Sequence, residues 1–145
     1  MAINSVPKRP NDGVTNPVLA GWLDLLWQFI KVGVYTPTLT NVTNLSASTV
    51  GELPYLRIWS VCIVGLTFTA DTVAGAPTGT ELGISLPIPS SFTAATDAMG
   101  SVALSAIQQS GRVSADATND RLAVNWDASD TANRTWGGLA IYLIK

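Results

Sequence analysis

The sequence predicts a mainly β protein: an antiparallel β-sandwich or jelly-roll-like domain preceded by an extended arm and one N-terminal α-helix. Three observations predict it. From Val34 onward, Thr, Val, Ile and aromatic residues alternate with small polar ones, and turn-forming clusters of Gly, Pro, Ser, Asn and Asp interrupt them at about ten-residue intervals, as in sandwiches and barrels. No long helical pattern follows Val34, which excludes parallel βαβ units. Ahead of it, apolar residues recur at three- and four-residue steps, the period of a helix. The chain therefore divides into an arm and helix over residues 1–33 and an antiparallel β domain over residues 34–145.

Composition says what surrounds such a fold. At 145 residues the chain fits one domain with a real core. Apolar residues make up 47% and charged residues 12%, whereas about a quarter of a soluble domain is ordinarily charged. The shortage points to a surface covered by partner subunits rather than water; the plainer alternative is a small neutral sandwich with a Ser/Thr/Asn-rich exterior. With a net charge of −2 and Lys and Arg scattered singly, no basic field exists to hold phosphates, which argues against nucleic acid as a partner.

The elements follow in order. Pro7, Pro10 and Gly13 among polar residues read as an extended, irregular arm. In Asn16-Pro17-Val18-Leu19, Asn16 suits an N-cap and Pro17 a first helical residue. A helix is predicted over residues 18–32. Leu19, Trp22, Leu23, Leu26, Phe29 and Ile30 share one face, which Leu25 and Trp27 widen; Asp24, Gln28 and Lys31 are its polar residues, and Gly33 is placed to stop it. A membrane span needs about 20 apolar residues, and this helix is shorter and carries Asp24 near its middle. A signal peptide opens on a basic region, whereas prolines and an Asn-Asp-Gly turn precede this run. Two tryptophans exceed what a short helix needs for its own domain, so self-association or docking into a larger assembly is the favoured reading. Leu19, Trp22, Leu23, Leu26, Trp27, Phe29 and Ile30 are the candidate anchor residues.

Strands are predicted near residues 34–39, 43–48, 55–59, 61–69, 80–87, 99–105, 111–115, 122–128 and 136–144. Cys62, the only cysteine, lies in the apolar run Val61-Cys62-Ile63-Val64 and reads as a buried structural thiol. Without a partner it forms no intrachain disulfide. The sequence holds no histidine, which removes Ser-His-Asp and Cys-His catalysis, imidazole metal ligands and the usual base near neutral pH. Asn-x-Ser/Thr triplets at Asn41, Asn44 and Asn133 need no glycosylation to explain them in so Asn- and Thr-rich a chain. Asp116, Asp120, Asp127 and Asp130 form the only acidic cluster. Two carboxylates can hydrolyse glycans, and carboxylates bind hard cations. Here the spacing of a dedicated cation loop is missing, and Asp120 and Asp130 sit in turn contexts, where Asp bonds nearby backbone amides. The expectation is turn chemistry, with no catalytic residue, metal or cofactor.

The strand region also carries a resemblance. Tyr35-Thr36-Pro37-Thr38-Leu39-Thr40-Asn41-Val42-Thr43-Asn44-Leu45-Ser46-Ala47-Ser48 resembles the opening of a β module of tailed-bacteriophage structural proteins, of the tail-fibre and head-decoration type. Tyr55-Leu56-Arg57-Ile58 is similar to that module's Tyr-Met-Arg-Val strand, and Leu82-Gly83-Ile84-Ser85-Leu86-Pro87 to its Ile-Ser-Leu-Pro segment. Thr118-Asn119-Asp120-Arg121 and Asp130-Thr131-Ala132-Asn133-Arg134 resemble its last two turns. The matches run in order from Tyr35 to Ile144. The resemblance implies a virion component and no catalytic residues. One departure stands out: where the family turns with Gly-Asn, this chain has Trp59-Ser60, which makes Trp59 a candidate interface residue, covered by a neighbouring subunit rather than bare at a tip.

Three functions compete at this stage. The first is a fibre or spike, most simply a homotrimer, attached to other virion proteins through its N-terminus and displaying its β domain, with a host surface receptor as a further partner. The second is a head-decoration (cement) protein lying flat on the capsid. The third is a carbohydrate-binding module, which turns on whether aromatic side chains face solvent. Helix-then-β polarity favours the fibre.

Overall fold

The computed structural model describes residues 16–75, 77–104 and 106–145; the expected arm, residues 1–15, lies outside them. Helix α1 (Pro17–Phe29) leads directly into strand β1 (Ile30–Tyr35). There follow β2 (Leu39–Thr43), β3 (Leu45–Val50), β4 (Leu53–Ile58), β5 (Val61–Thr72), β6 (Thr78–Ser85), β7 (Ala98–Leu104), β8 (Gln109–Asp116), β9 (Arg121–Ala128) and β10 (Arg134–Leu143). The strands pair antiparallel in the order β1-β4-β5-β10-β7-β8-β9-β6-β2, with β3 beside β4 on the same flank of β5. The fold class read from the sequence is the one observed: a β-rich, sandwich-like domain behind one helix.

The sheet curls into a half-barrel because β2, at one end of the path, continues into β3, which pairs back onto β5. Asn44 makes that corner. Its φ of 55° is a conformation Asn tolerates better than most residues. Its side-chain Nδ2 donates to the Ala74 carbonyl and to Thr80 Oγ1, both at 2.9 Å, and its Oδ1 accepts from the Ala74 amide at 2.7 Å. The Asn44 carbonyl accepts from Val73 at 3.1 Å.

Inside the curl lies the core. Along β5, Cys62, Val64, Leu66, Phe68 and Ala70 point inward, as do Leu82 and Ile84 of β6, Leu122, Val124 and Trp126 of β9, and Trp136, Ala140 and Tyr142 of β10. Trp136 stacks on Phe68 (ring centroids 6.4 Å apart) and meets Trp126 at 4.8 Å. The buried Tyr142 hydroxyl donates to the Ile88 carbonyl at 2.7 Å, tying the segment after β6 to β10. At the β7–β10 contact, a Cβ on Gly100 or Gly138 would come within 2.1 Å of the partner strand's carbonyl oxygen, so only glycine permits this backbone approach.

Two boundaries differ from the sequence reading. The helix expected to reach residue 32 ends at Phe29, and the sheet begins at Ile30 rather than Val34. Ile30, Val32 and Val34 are β-branched at alternate positions, and their pairing with β4 prevails over helix continuation. Gly33 therefore stops nothing; it pairs with Tyr55, whose ring fills the space of its missing side chain. The strands expected at 34–39 and 43–48 are broken by Pro37, which has no amide to donate, and by the Asn44 corner, so residues 30–50 form three strands.

Candidate assembly surface

Helix α1 starts as its sequence dictates. Asn16 Oδ1 accepts from the Val18 and Leu19 amides at 3.0 and 3.3 Å, and Pro17 occupies the first turn. The helix contains no buried residue. Trp22 is 62% exposed, and Val18, Leu19, Leu25, Leu26, Phe29 and Ile30 are exposed as well, with Leu23 and Trp27 half-buried. At about 100° per residue the apolar positions Val18, Leu19, Trp22, Leu23, Leu25, Leu26, Trp27 and Phe29 cover some 200° of the helix, about twice the stripe a surface helix needs to seat on one core.

Where the helix ends, it meets the β4–β5 hairpin. Ile58 and Val61 pair, leaving Trp59-Ser60 as a two-residue loop. Trp59 has a φ of 57°; a positive φ at the first loop residue is what the primed two-residue hairpin turns require, so the turn closes without a glycine. The Trp59 amide donates to the Phe29 carbonyl at 2.8 Å, and Arg57 Nε donates to the Trp59 carbonyl at 2.7 Å. The rings of Phe29 and Trp59 lie 5.1 Å apart. Trp59 nonetheless stays 62% exposed, beside a cleft of about 280 Å³ shared with Phe29, Arg57, Ser60 and Ile144.

The outer face of the sheet carries a feature that sequence reasoning missed. Pairing registers place Val32, Leu56, Ile63, Ile141 and Met99 in one row across β1, β4, β5, β10 and β7. A second row holds Ile30, Ile58, Val61 and Leu143. All of these point away from the core; Val32 is 70% and Met99 64% exposed. Beyond Met99 the face changes character. Its next neighbours are Ser114 and Ala123, and the adjacent row runs Ser101, Arg112, Asn125, Glu81, Thr43. That polar half forms an open groove of about 670 Å³ lined by Ser101, Ser110, Arg112, Asn125, Asp127 and Glu81 among others. The groove offers no aromatic platform: Trp126 borders it but is buried, and the exposed Trp22 and Trp59 lie on the helix and the hairpin tip.

Of the four clustered acidic residues, Asp116 and Asp130 bond backbone amides of their own turns, as the sequence suggests, whereas Asp120 bonds a distant segment and Asp127 lies on a strand. Asp116 accepts from the Thr118 and Asn119 amides, from Asn119 Nδ2 and from Arg121 Nε at 2.8 Å, closing the β8–β9 hairpin. Partial burial pushes its carboxyl up, and the bonds from Asn119, Arg121 and the two amides outweigh that and hold it below the usual carboxylate range. Asp120 accepts from the Phe92 amide at 2.7 Å. Asp130 accepts from Arg134 at 2.5 Å and from the Ala132 amide, which lower its carboxyl likewise. Asp127 lies on β9 and, with Glu81 of β6, lines the groove. Among the described residues no group of three or more His, Cys, Asp or Glu side chains is placed to hold a metal ion. Cys62 is fully buried, which pushes its thiol up and away from thiolate chemistry. No helix among the described residues is long and apolar enough to cross a membrane.

No protein-family model matches the chain, and a comparison with curated proteins finds no match.

Proposed function

We propose that this chain is a non-enzymatic structural protein of a bacteriophage particle, a fibre- or spike-type appendage that self-assembles, most simply as a trimer. In this reading the helix attaches it to other virion proteins, and the β domain is displayed to the exterior, where a host surface receptor is the natural further partner. The observation that carries the reading is the helix Pro17–Phe29, apolar over half its circumference with no buried residue in the isolated chain. A surface of this kind marks an interaction site. The ordered resemblance of residues 35–144 to phage β modules supplies the virion context, and the bonding of Asp116 and Asp130 within their turns and of Asp120 to the distant Phe92 amide supports a structural role.

Light scattering on the full chain tests self-assembly: an oligomer is expected, and a stable monomer at micromolar concentration contradicts it. Particles carrying Trp22→Ala or Trp27→Ala test the anchor. The two residues lie about 140° apart around the helix, so each faces a different neighbour, and truncating a packed aromatic costs about 3–5 kcal/mol. Both variants are expected to be depleted from purified particles. Normal incorporation of both would assign attachment to the β domain, as in a head-decoration protein.

A further inference from the structure

We infer that in the assembly the helix Pro17–Phe29 of one copy lies across the apolar outer half-face of the sheet of a neighbouring copy. The inference rests on the self-assembly proposed above and names what the apolar face binds.

The helix and the face match in size. Thirteen residues make a helix of about 20 Å at 1.5 Å per residue. From β1 to β7 the apolar row crosses four inter-strand steps, about 19 Å at 4.8 Å each. The face stops being apolar at Met99, where Ser114 follows in the row.

The helix does not reach the face of its own chain. Phe29 is the last helical residue and Ile30 the first of β1, with no residue between them. To fold back over the sheet to which β1 belongs, the chain would have to reverse, and such connections ordinarily take about two to six residues. The cover is therefore exchanged between copies, helix to face.

The area on offer is enough. The apolar side chains of the helix and of the two rows are mostly between 36% and 70% exposed. At about 70 Å² of free apolar surface for each half-exposed large side chain, they present on the order of 1,000 Å² per copy; shared between the two neighbours a copy meets in a trimer, this is about 1,000 Å² in total at each helix-on-face contact, the size from which specific interfaces begin. The helix's apolar arc of about 200° is about twice what one seated face takes up, which leaves the remainder for the attachment proposed above.

The test is disulfide trapping between two differently tagged full-length chains, one carrying Leu26→Cys on the helix and the other Ile141→Cys on the face, co-expressed and oxidised. Cys62 stays silent because it is buried. A covalent species containing both tags is expected as the main product, since the second chain has no helix thiol. An oligomer in which only the Leu26→Cys chains link to one another would overturn the inference and leave self-assembly standing. A monomeric chain that links to nothing would overturn both. A chain that is trapped only when both substitutions sit in one molecule would show the helix on its own face, again overturning the exchange. A second variant pair, Leu19→Cys with Met99→Cys, repeats the measurement at another place on the same two surfaces, should the first pair misfold.

Discussion

The outer face of one continuous sheet behaves as two surfaces. Over β1, β4, β5, β10 and β7 it presents Val32, Leu56, Ile63, Ile141 and Met99 in register; over β8, β9 and β6 it presents Ser114, Arg112, Asn125 and Glu81. Both halves share the same core behind them and the same backbone pairing. A free antiparallel sheet face is ordinarily polar where it meets water, and the second half obeys that rule. The first half breaks it, and it is the half into which the bare apolar helix runs. An exposed apolar face and an exposed apolar helix on adjoining elements would both be covered by the mutual burial between copies proposed above.

Substitutions sharpen the contrast between inner and outer residues. Trp136→Ala removes a ring stacked on Phe68 and tilted against Trp126 and should cost about 3–5 kcal/mol in denaturant unfolding, with the folded fraction still assembling. Asn44→Ala should cost about 2–3 kcal/mol, since it removes three side-chain hydrogen bonds at about 1 kcal/mol each and leaves a non-glycine residue at positive φ; Asn44→Gly should recover the backbone share. Asp116→Asn weakens one hairpin and should cost about 1 kcal/mol without changing assembly. On the outer face, Met99→Ser should shift the unfolding of a helix-deleted monomer by no more than about 0.5 kcal/mol, yet weaken the oligomer of the full chain. A large loss of monomer stability with Met99→Ser would break the distinction.

Acid should act on the turns and spare the apolar contact. The carboxyls of Asp97, Asp116 and Asp130 are held low in the folded chain, Asp97 chiefly by Lys145 and the Thr93 amide. Their contribution is present above the unfolded carboxylate value and is lost as pH falls through the lower folded values, so thermal stability should drop only below about pH 4. Histidine is absent, so no side-chain titration of that kind intervenes between pH 5 and 8. A melting temperature that falls already at pH 6 would contradict these assignments.

Much of this was legible in the sequence, and the limits have physical causes. Asn16 and Pro17 mark the helix start because capping is local. The helix end is not legible locally because it is set by Ile30, Val32 and Val34 pairing with Ile58, Leu56 and Pro54 of β4, between 20 and 28 residues further along the sequence. Of the anchor set, Leu19, Trp22, Leu26 and Phe29 are exposed on the helix and Leu23 and Trp27 half-buried on it, while Ile30, expected on the same helical face, lies in β1. The outer half-face was hidden by its own composition. Val61-Cys62-Ile63-Val64 and Leu139-Ala140-Ile141-Tyr142-Leu143 are apolar without alternation, a pattern that reads as a strand buried on both sides; only one side is buried within the chain. That excess of apolar residues, together with the low charge, was the available signal.

Sedimentation velocity on the full chain, on Ile141→Lys and on Arg112→Glu tests the central claim most directly. Both substitutions place a new or reversed charge on the outer sheet face, one in each half. A buried unpaired charge costs several kcal/mol, and each 1.4 kcal/mol is tenfold in affinity, so Ile141→Lys should weaken assembly by at least about a hundredfold while the far-ultraviolet strand signal stays unchanged. Arg112→Glu should sediment as the unsubstituted oligomer does. A monomeric unsubstituted chain, or equal dissociation by the two variants, would contradict the division of the face into an assembly half and a solvent half.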